Sequence, residues 1–88
     1  MTPTICKFAG LRIYMNQGAK EHNPPHFHVK YNDYECVIDI KNIVVIKGVL
    51  PRRQLLMVLG WASKNEDLLM ENWDRLQNNE PVIEIKPL

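Results

Sequence analysis

The chain contains few cysteines and no arrangement of them that is typical of a metal-binding or disulfide-rich protein. Among its 88 residues only Cys6 and Cys36 are cysteines, and no Cys-x-x-Cys pair is present. The zinc-finger class is therefore disfavoured. Both cysteines lie in apolar stretches, which is typical of buried thiols in a reducing compartment. We therefore expect a cytoplasmic protein.

The chain also lacks long apolar runs, a basic excess and several well-known catalytic motifs. No apolar run approaches the roughly 18–20 residues needed to span a bilayer, and the N-terminus does not resemble a secretory signal, so we expect no membrane partner. The net charge is only +1, which argues against a nonspecific nucleic-acid binder, although a local basic patch for RNA stays open. Neither a Gly-rich phosphate loop nor an HExxH motif is present.

What the sequence does contain is a pattern of strands followed by a pattern of helices. The length predicts a single domain over residues 1–88. Short alternating segments occur near residues 5–8 and 11–15, and a third runs from His26 to Tyr31. Asn32 and Asp33 then favour a hairpin turn. In that register Phe27 faces Ile38 on an apolar side, and His26 faces Asp39 on the other.

The second half of the chain predicts the remaining elements of the fold. Residues 43–46 are apolar on both faces, which predicts a strand near the sheet centre or beneath a helix. Gly48 is predicted to end this strand. Helical periodicity covers residues 51–77, and Ser63 to Glu66 matches a capping box. A final edge strand is predicted over residues 82–85. The predicted fold is α+β, with a mostly antiparallel sheet of four to six strands and one bent or two C-terminal helices packed on one face.

The most unusual segment is a proline-stiffened stretch that contains all three histidines, His22, His26 and His28. One hypothesis is RNA cleavage, with His26 and His28 as acid and base, Asp39 orienting an imidazole, and Arg12 or Lys30 binding phosphate. The three histidines can instead bind a metal ion such as zinc or nickel, and no other cofactor is predicted. They can also serve structurally, lining a surface that binds a partner.

A basic pair, Arg52 and Arg53, follows Pro51 at the predicted start of the first helix. Free amides and the positive end of the helix dipole favour anions at such a position. The pair is therefore a candidate contact for RNA or another anion, and His22 is a further candidate binding residue. The alternative is a solvated pair on the first turn of the helix.

Several of these segments resemble a known bacterial family. The specific part of the resemblance is residues 22–28 (HNPPHFH). Supporting positions are residues 4–5, 10, 13–15, 48–53 (Gly-x-Leu-Pro-Arg-Arg), Trp61 and 71–73 (Glu-Asn-Trp). Together they are similar to the family called domain of unknown function 4160. The resemblance implies a protein encoded beside a second small protein, in pairs proposed as toxin–antitoxin modules. It implies no catalytic residues, and a homo-oligomer stays open.

Overall fold

The computed structural model describes residues 3–16 and 24–88 of the chain. Five antiparallel strands form a sheet in the order in which they occur in the sequence, and two helices follow. The elements are β1 (Thr4–Phe8), β2 (Leu11–Tyr14), β3 (His26–Tyr31), β4 (Tyr34–Asp39), β5 (Val44–Val49), α1 (Arg52–Lys64) and α2 (Glu66–Gln77). This is the α+β fold that the sequence predicts.

The hairpin of β3 and β4 has the predicted register. Tyr31 pairs with Tyr34, Phe27 with Ile38, and His26 with Asp39. The turn is tight because Asn32 takes a positive φ of 51°, a conformation that asparagine tolerates better than most residues. A shift of one residue would bring the histidines to the core side, so the alternation of apolar and polar residues determines the register.

Both helices pack on the apolar face of the sheet. The ring of Trp61, in α1, lies 5.9 Å from the ring of Phe8 and 6.1 Å from that of Phe27. The helices are separated at Asn65, whose side-chain amide donates a hydrogen bond to the Trp61 carbonyl oxygen. The predicted capping box is wrong, because the Ser63 hydroxyl donates back to the Gly60 carbonyl and no side chain caps α2. Neither α1 nor α2 combines the length and apolar character that crossing a membrane requires.

Of the two positions predicted for β5, the sheet centre is wrong, because this strand lies at the edge of the sheet. Because the strands lie in the sheet in sequence order, β5 is the last strand and has only β4 as a neighbour in the described sheet. The strand begins at Val44, since Ile43 has a φ of 53° and belongs to the preceding turn. Gly48 does not end the strand but lies within it at a φ of 82°, next to a bulge in the pairing with β4. Only glycine adopts this conformation without strain.

The C-terminal segment, residues 80–88, does not form the predicted edge strand. It runs beside β1 with a hydrogen bond from the Ile85 amide to the Ile5 carbonyl oxygen. Buried Asn72 fixes the segment by accepting from the Ile83 amide (2.7 Å) and donating to the Ile83 carbonyl (2.8 Å). The Trp61 indole nitrogen donates to the Lys86 carbonyl. Side chains of the helices thus replace most of the ladder that a strand would have formed.

Candidate functional site

The candidate site lies on the polar side of the sheet, opposite the Phe27 side on which Trp61 packs, and we call it the open face. Two rows of paired residues cross the strands there. One row runs from Tyr14 through His28 and Val37 to Lys47, and the other runs from Arg12 through Lys30 and Glu35 to Val49. Alternate residues of a strand point to opposite faces. The apolar residues that lie between the members of the two rows therefore point to the core.

The structure brings His26 and His28 together on this face. Their ring centroids are 5.3 Å apart, and the rings meet edge to face. The Nδ1 atom of His26 lies 2.9 Å from the Pro24 carbonyl oxygen, which can only accept, so Nδ1 carries a proton. The Nε2 atom of His28 lies 3.3 Å from the side-chain amide nitrogen of Asn16. One nitrogen of each imidazole is therefore held by a neighbouring polar group.

Tyr14 connects the histidines to the neighbouring strands. Its ring stacks on that of His28 with centroids 5.0 Å apart, and the Arg12 guanidinium lies 4.6 Å from its centroid. The Tyr14 hydroxyl donates a hydrogen bond to the Glu35 carboxylate. Burial, this hydrogen bond and the negative charge of Glu35 raise the pKa of Tyr14 to about 12. The phenol is therefore a proton donor that stays protonated at neutral pH.

A shallow cleft of about 380 Å³ lies beside this cluster. Its lining includes Tyr14, Asn16, His28, Glu35 and Lys47. A phenol, an imidazole, a carboxylate and an ammonium group thus face one open space. Such a mixture can exchange protons with a ligand and can form hydrogen bonds with either charged or neutral polar groups.

Helix α2 also reaches the histidines. The ring of Trp73 lies 5.1 Å from that of His26, and the Trp73 side chain is otherwise part of the hydrophobic core. The contact with His26 means that a movement of α2 changes the environment of the first residue of β3.

Asp39 lies opposite His26 in the register, as predicted, but its carboxylate interacts with the following turn. One oxygen accepts from the amides of Lys41 (2.8 Å) and Asn42 (3.1 Å), and the other accepts from the Asn42 side chain (3.2 Å). These hydrogen bonds, the Asn42 amide first among them, lower the pKa of Asp39 despite its burial. Asp39 is thus a charged turn-stabilising residue, and an orienting role toward His26 stays a prediction.

The predicted cationic residues fall into two groups. Arg12 and Lys30 are paired neighbours on the open face, and the Arg12 Nε donates to the Thr4 hydroxyl at 2.8 Å. Arg52 and Arg53 are exposed on the first turn of α1, directly beyond β5. They therefore belong to the end of the edge strand and not to the two rows of the open face.

The predicted metal site depends on a residue outside the described part of the chain. His22 falls within residues 17–23, which the structure does not describe. Within residues 3–16 and 24–88, no three histidine, cysteine or acidic side chains are grouped closely enough to hold a metal ion. Metal binding by His22, His26 and His28 thus stays a prediction.

Four residues of this site were missed in the sequence: Tyr14, Asn16, Glu35 and Lys47. Period-two alternation in residues 11–15 places Tyr14 on the same face as Arg12, which is a usable signal. The pairing of β2 with β3 had no such signal, because the connection after Asn16 is too long for a turn type to fix the register. Tyr14 could therefore not be assigned to His28 before the structure was known.

The chain was compared with protein families, with curated proteins and with solved structures. Residues 10–74 match the model of the family described as Domain of unknown function (DUF4160). This stretch contains the hairpin, β5, α1 and most of α2. No curated protein and no solved structure matches the chain.

Proposed function

We propose that this chain, which belongs to the DUF4160 family, is one component of a toxin–antitoxin pair and acts by binding a protein partner. The partner is the small protein encoded by the neighbouring gene. The contact surface comprises β5 and the adjacent part of the open face.

The observation that carries this proposal is the exposure of apolar side chains on an edge strand. Val44, Ile46 and Val49 are 50%, 48% and 64% exposed. Edge strands of proteins that act alone are generally protected by charges, prolines, bulges or covering segments, because their unpaired backbone groups invite association. β5 has one charged residue, Lys47, and one bulge, yet three of its six residues are exposed apolar ones. The opposite edge, β1, is accompanied by the C-terminal segment through Ile85. Contiguous exposed apolar groups of this kind mark interaction sites.

The test is co-expression with the neighbouring protein, followed by size-exclusion chromatography at micromolar concentration. We expect the two chains to elute together. Val49→Asp should weaken the complex at least tenfold, because a carboxylate buried against an apolar partner loses its hydration. The control is Leu88→Asp, since Leu88 is similarly exposed (58%) but belongs to the C-terminal segment that accompanies the other edge. Separate elution of the two wild-type chains, or equal effects of both variants, would contradict the proposal.

A second candidate function, RNA cleavage, is favoured by the proximity of His26 and His28. Their rings are 5.3 Å apart, close enough for both to contact one phosphodiester group. One imidazole would take the proton of the 2′-hydroxyl as it attacks phosphorus, and the other would protonate the departing 5′ oxygen. Arg12 and Lys30, on the same face, would stabilise the charge on the phosphate.

This candidate is tested by expressing the chain alone. An RNA-cleaving toxin should arrest growth, and both His26→Ala and His28→Ala should relieve the arrest. The control is Lys7→Ala, which changes an exposed residue of β1. Purified protein should also cleave RNA with a bell-shaped pH dependence. Normal growth on induction, or full toxicity of both histidine variants, would rule this function out.

A further inference from the structure

We infer that the partner contacts β5 with an extended segment that carries apolar and acidic side chains, added to the sheet as a sixth strand. This inference rests on the proposed function, because it specifies the chemistry of the partner that the proposed function requires. Strand addition of this kind gains affinity from backbone hydrogen bonds and specificity from the side chains beside them.

The first argument is that one side of β5 has no partner strand in the described sheet. Within the described sheet, β5 is hydrogen-bonded to β4 on one side, and no described strand pairs with its other side. The register places Lys47 opposite Val37 and Val49 opposite Glu35, so both project toward the open face. An added strand would therefore place one residue beside Lys47 and another, two positions along, beside Val49. We assign an acidic residue to the first position and an apolar residue to the second.

The second argument is the charge of the surroundings. Four exposed cations lie on β5 or beside its ends: Lys41, Lys47, Arg52 and Arg53. In the part of the chain that the structure describes, none of the four forms an ion pair. The nearby carboxylates of Glu35 and Asp39 keep their negative charges while they accept hydrogen bonds from Tyr14 and from the turn, and Asp33, in the β3–β4 turn, is a third acid. Four cations against three carboxylates leave the edge with a small positive surplus, which an acidic segment would complement.

A second copy of this chain fits the edge poorly. Antiparallel pairing of two β5 strands about their midpoint would place the Lys41 end of one copy next to the Arg52 and Arg53 end of the other. Like charges would then meet at both ends of the new pair, which is unfavourable.

RNA is also a poor occupant of this edge. Phosphate binding explains the cations but leaves the exposed valines and isoleucine of β5 without a role. The chain as a whole has a net charge of only +1, whereas proteins that bind a polyanion generally carry a marked basic excess.

The experiment measures the dissociation constant for the neighbouring protein at low and moderate salt. The test variant is the triple charge reversal Lys47→Glu, Arg52→Glu and Arg53→Glu, and Lys47→Glu alone is included in case the triple variant is poorly folded by circular dichroism. We expect the triple variant to raise Kd roughly tenfold and to weaken its salt dependence. The control Lys7→Glu reverses an exposed cation of β1 and should change Kd less than about twofold.

The outcomes separate the inference from the proposed function. If the wild-type chain does not bind the neighbouring protein, the proposed function fails. If it binds and the charge reversals leave Kd unchanged, the proposed function stands and the acidic segment is refuted. The inference is also refuted if the reversals instead abolish self-association of this chain, or abolish binding of a single-stranded RNA oligonucleotide, while binding of the protein is unaffected.

Discussion

Gly48 is the residue of β5 whose replacement has the most clearly defined consequence. Its φ of 82° is a conformation that other residues rarely adopt, and a Cβ built there would collide with the Glu35 carbonyl oxygen and lie 2.9 Å from Cys36 Cα. Both atoms belong to the backbone of β4, so no side-chain rotation can relieve the contact. Gly48→Ala must therefore either change its φ or separate β5 from β4.

The expected loss of stability is the sum of two costs, one for the backbone conformation and one for the steric contact. The left-handed conformation costs an alanine about 1–2 kcal/mol, and the forced displacement adds about 1–3 kcal/mol. We thus expect Gly48→Ala to lower the free energy of unfolding by about 2–5 kcal/mol, and Tm by roughly 10–30 °C. Urea and thermal unfolding, followed by circular dichroism, measure both quantities.

The matched control for this prediction is Gly60→Ala. Gly60 lies in α1 with no atom within 4 Å of an added Cβ. Alanine should stabilise the helix there by about 0.5–1 kcal/mol, because glycine has the greater conformational entropy to lose. The reasoning is refuted if Gly48→Ala unfolds within about 0.5 kcal/mol of the wild type, or if both variants change stability in the same direction.

Three further predictions concern single side chains. Asn72→Ala should destabilise the fold by about 2–3 kcal/mol in urea unfolding, because the amide and carbonyl of Ile83 lose their buried partner; an effect below about 0.5 kcal/mol would contradict this. Tyr14→Phe should remove, from the ultraviolet titration of the tyrosines, a group that ionises near pH 12. Because the pKa of Tyr14 is raised in the folded state, protonated Tyr14 stabilises the fold at neutral pH, and this stabilisation is lost as the pH rises toward 12. The prediction is contradicted if the substitution instead removes a group that titrates at the ordinary value of 10. Asp39→Ala should cost about 1–2 kcal/mol at pH 7, and the difference from wild type should shrink as acid protonates the carboxylate, because its pKa is lowered in the fold. A difference that is independent of pH would show that the charge of Asp39 does not contribute.

The β3–β4 hairpin and the division into sheet and helices could be predicted because local patterns determine them. A two-residue turn at Asn32 and alternation on both sides leave one register that buries Phe27 and Ile38. For residues 51–77 the sequence left one bent helix and two helices open, and the structure has two. These features depend on neighbours in sequence, so no knowledge of the tertiary structure was needed.

The place of β5 could not be predicted, because its apolar composition has two explanations. A strand that is apolar on both faces is typical of a sheet centre, and an interaction edge has the same composition. Only the order of the strands distinguishes them, and that order depends on long-range pairing. Gly48 was misread for a similar reason, since a glycine that ends a strand and one that forms a bulge look alike in sequence.

The candidate site was predictable in part. His26 and His28 share a face through simple alternation, and the structure places their rings together. The stacking of Tyr14 on His28 depends on the β2–β3 register, and the sequence between these strands does not predict that register. The engagement of Asp39 by the Lys41–Asn42 turn competes with its predicted role, and side-chain competition of this kind is not visible in a strand register.

Amide hydrogen exchange of the complex with the neighbouring protein tests the central claim most directly. If a segment of the partner is added at the edge of the sheet, the amides of β5 (Val44–Val49) that point away from β4 should exchange more slowly in the complex, and those of β1 and the outer face of α2 should not change. Slower exchange confined to α2 or to the C-terminal segment, with β5 unchanged, would contradict the claim that this edge binds the partner.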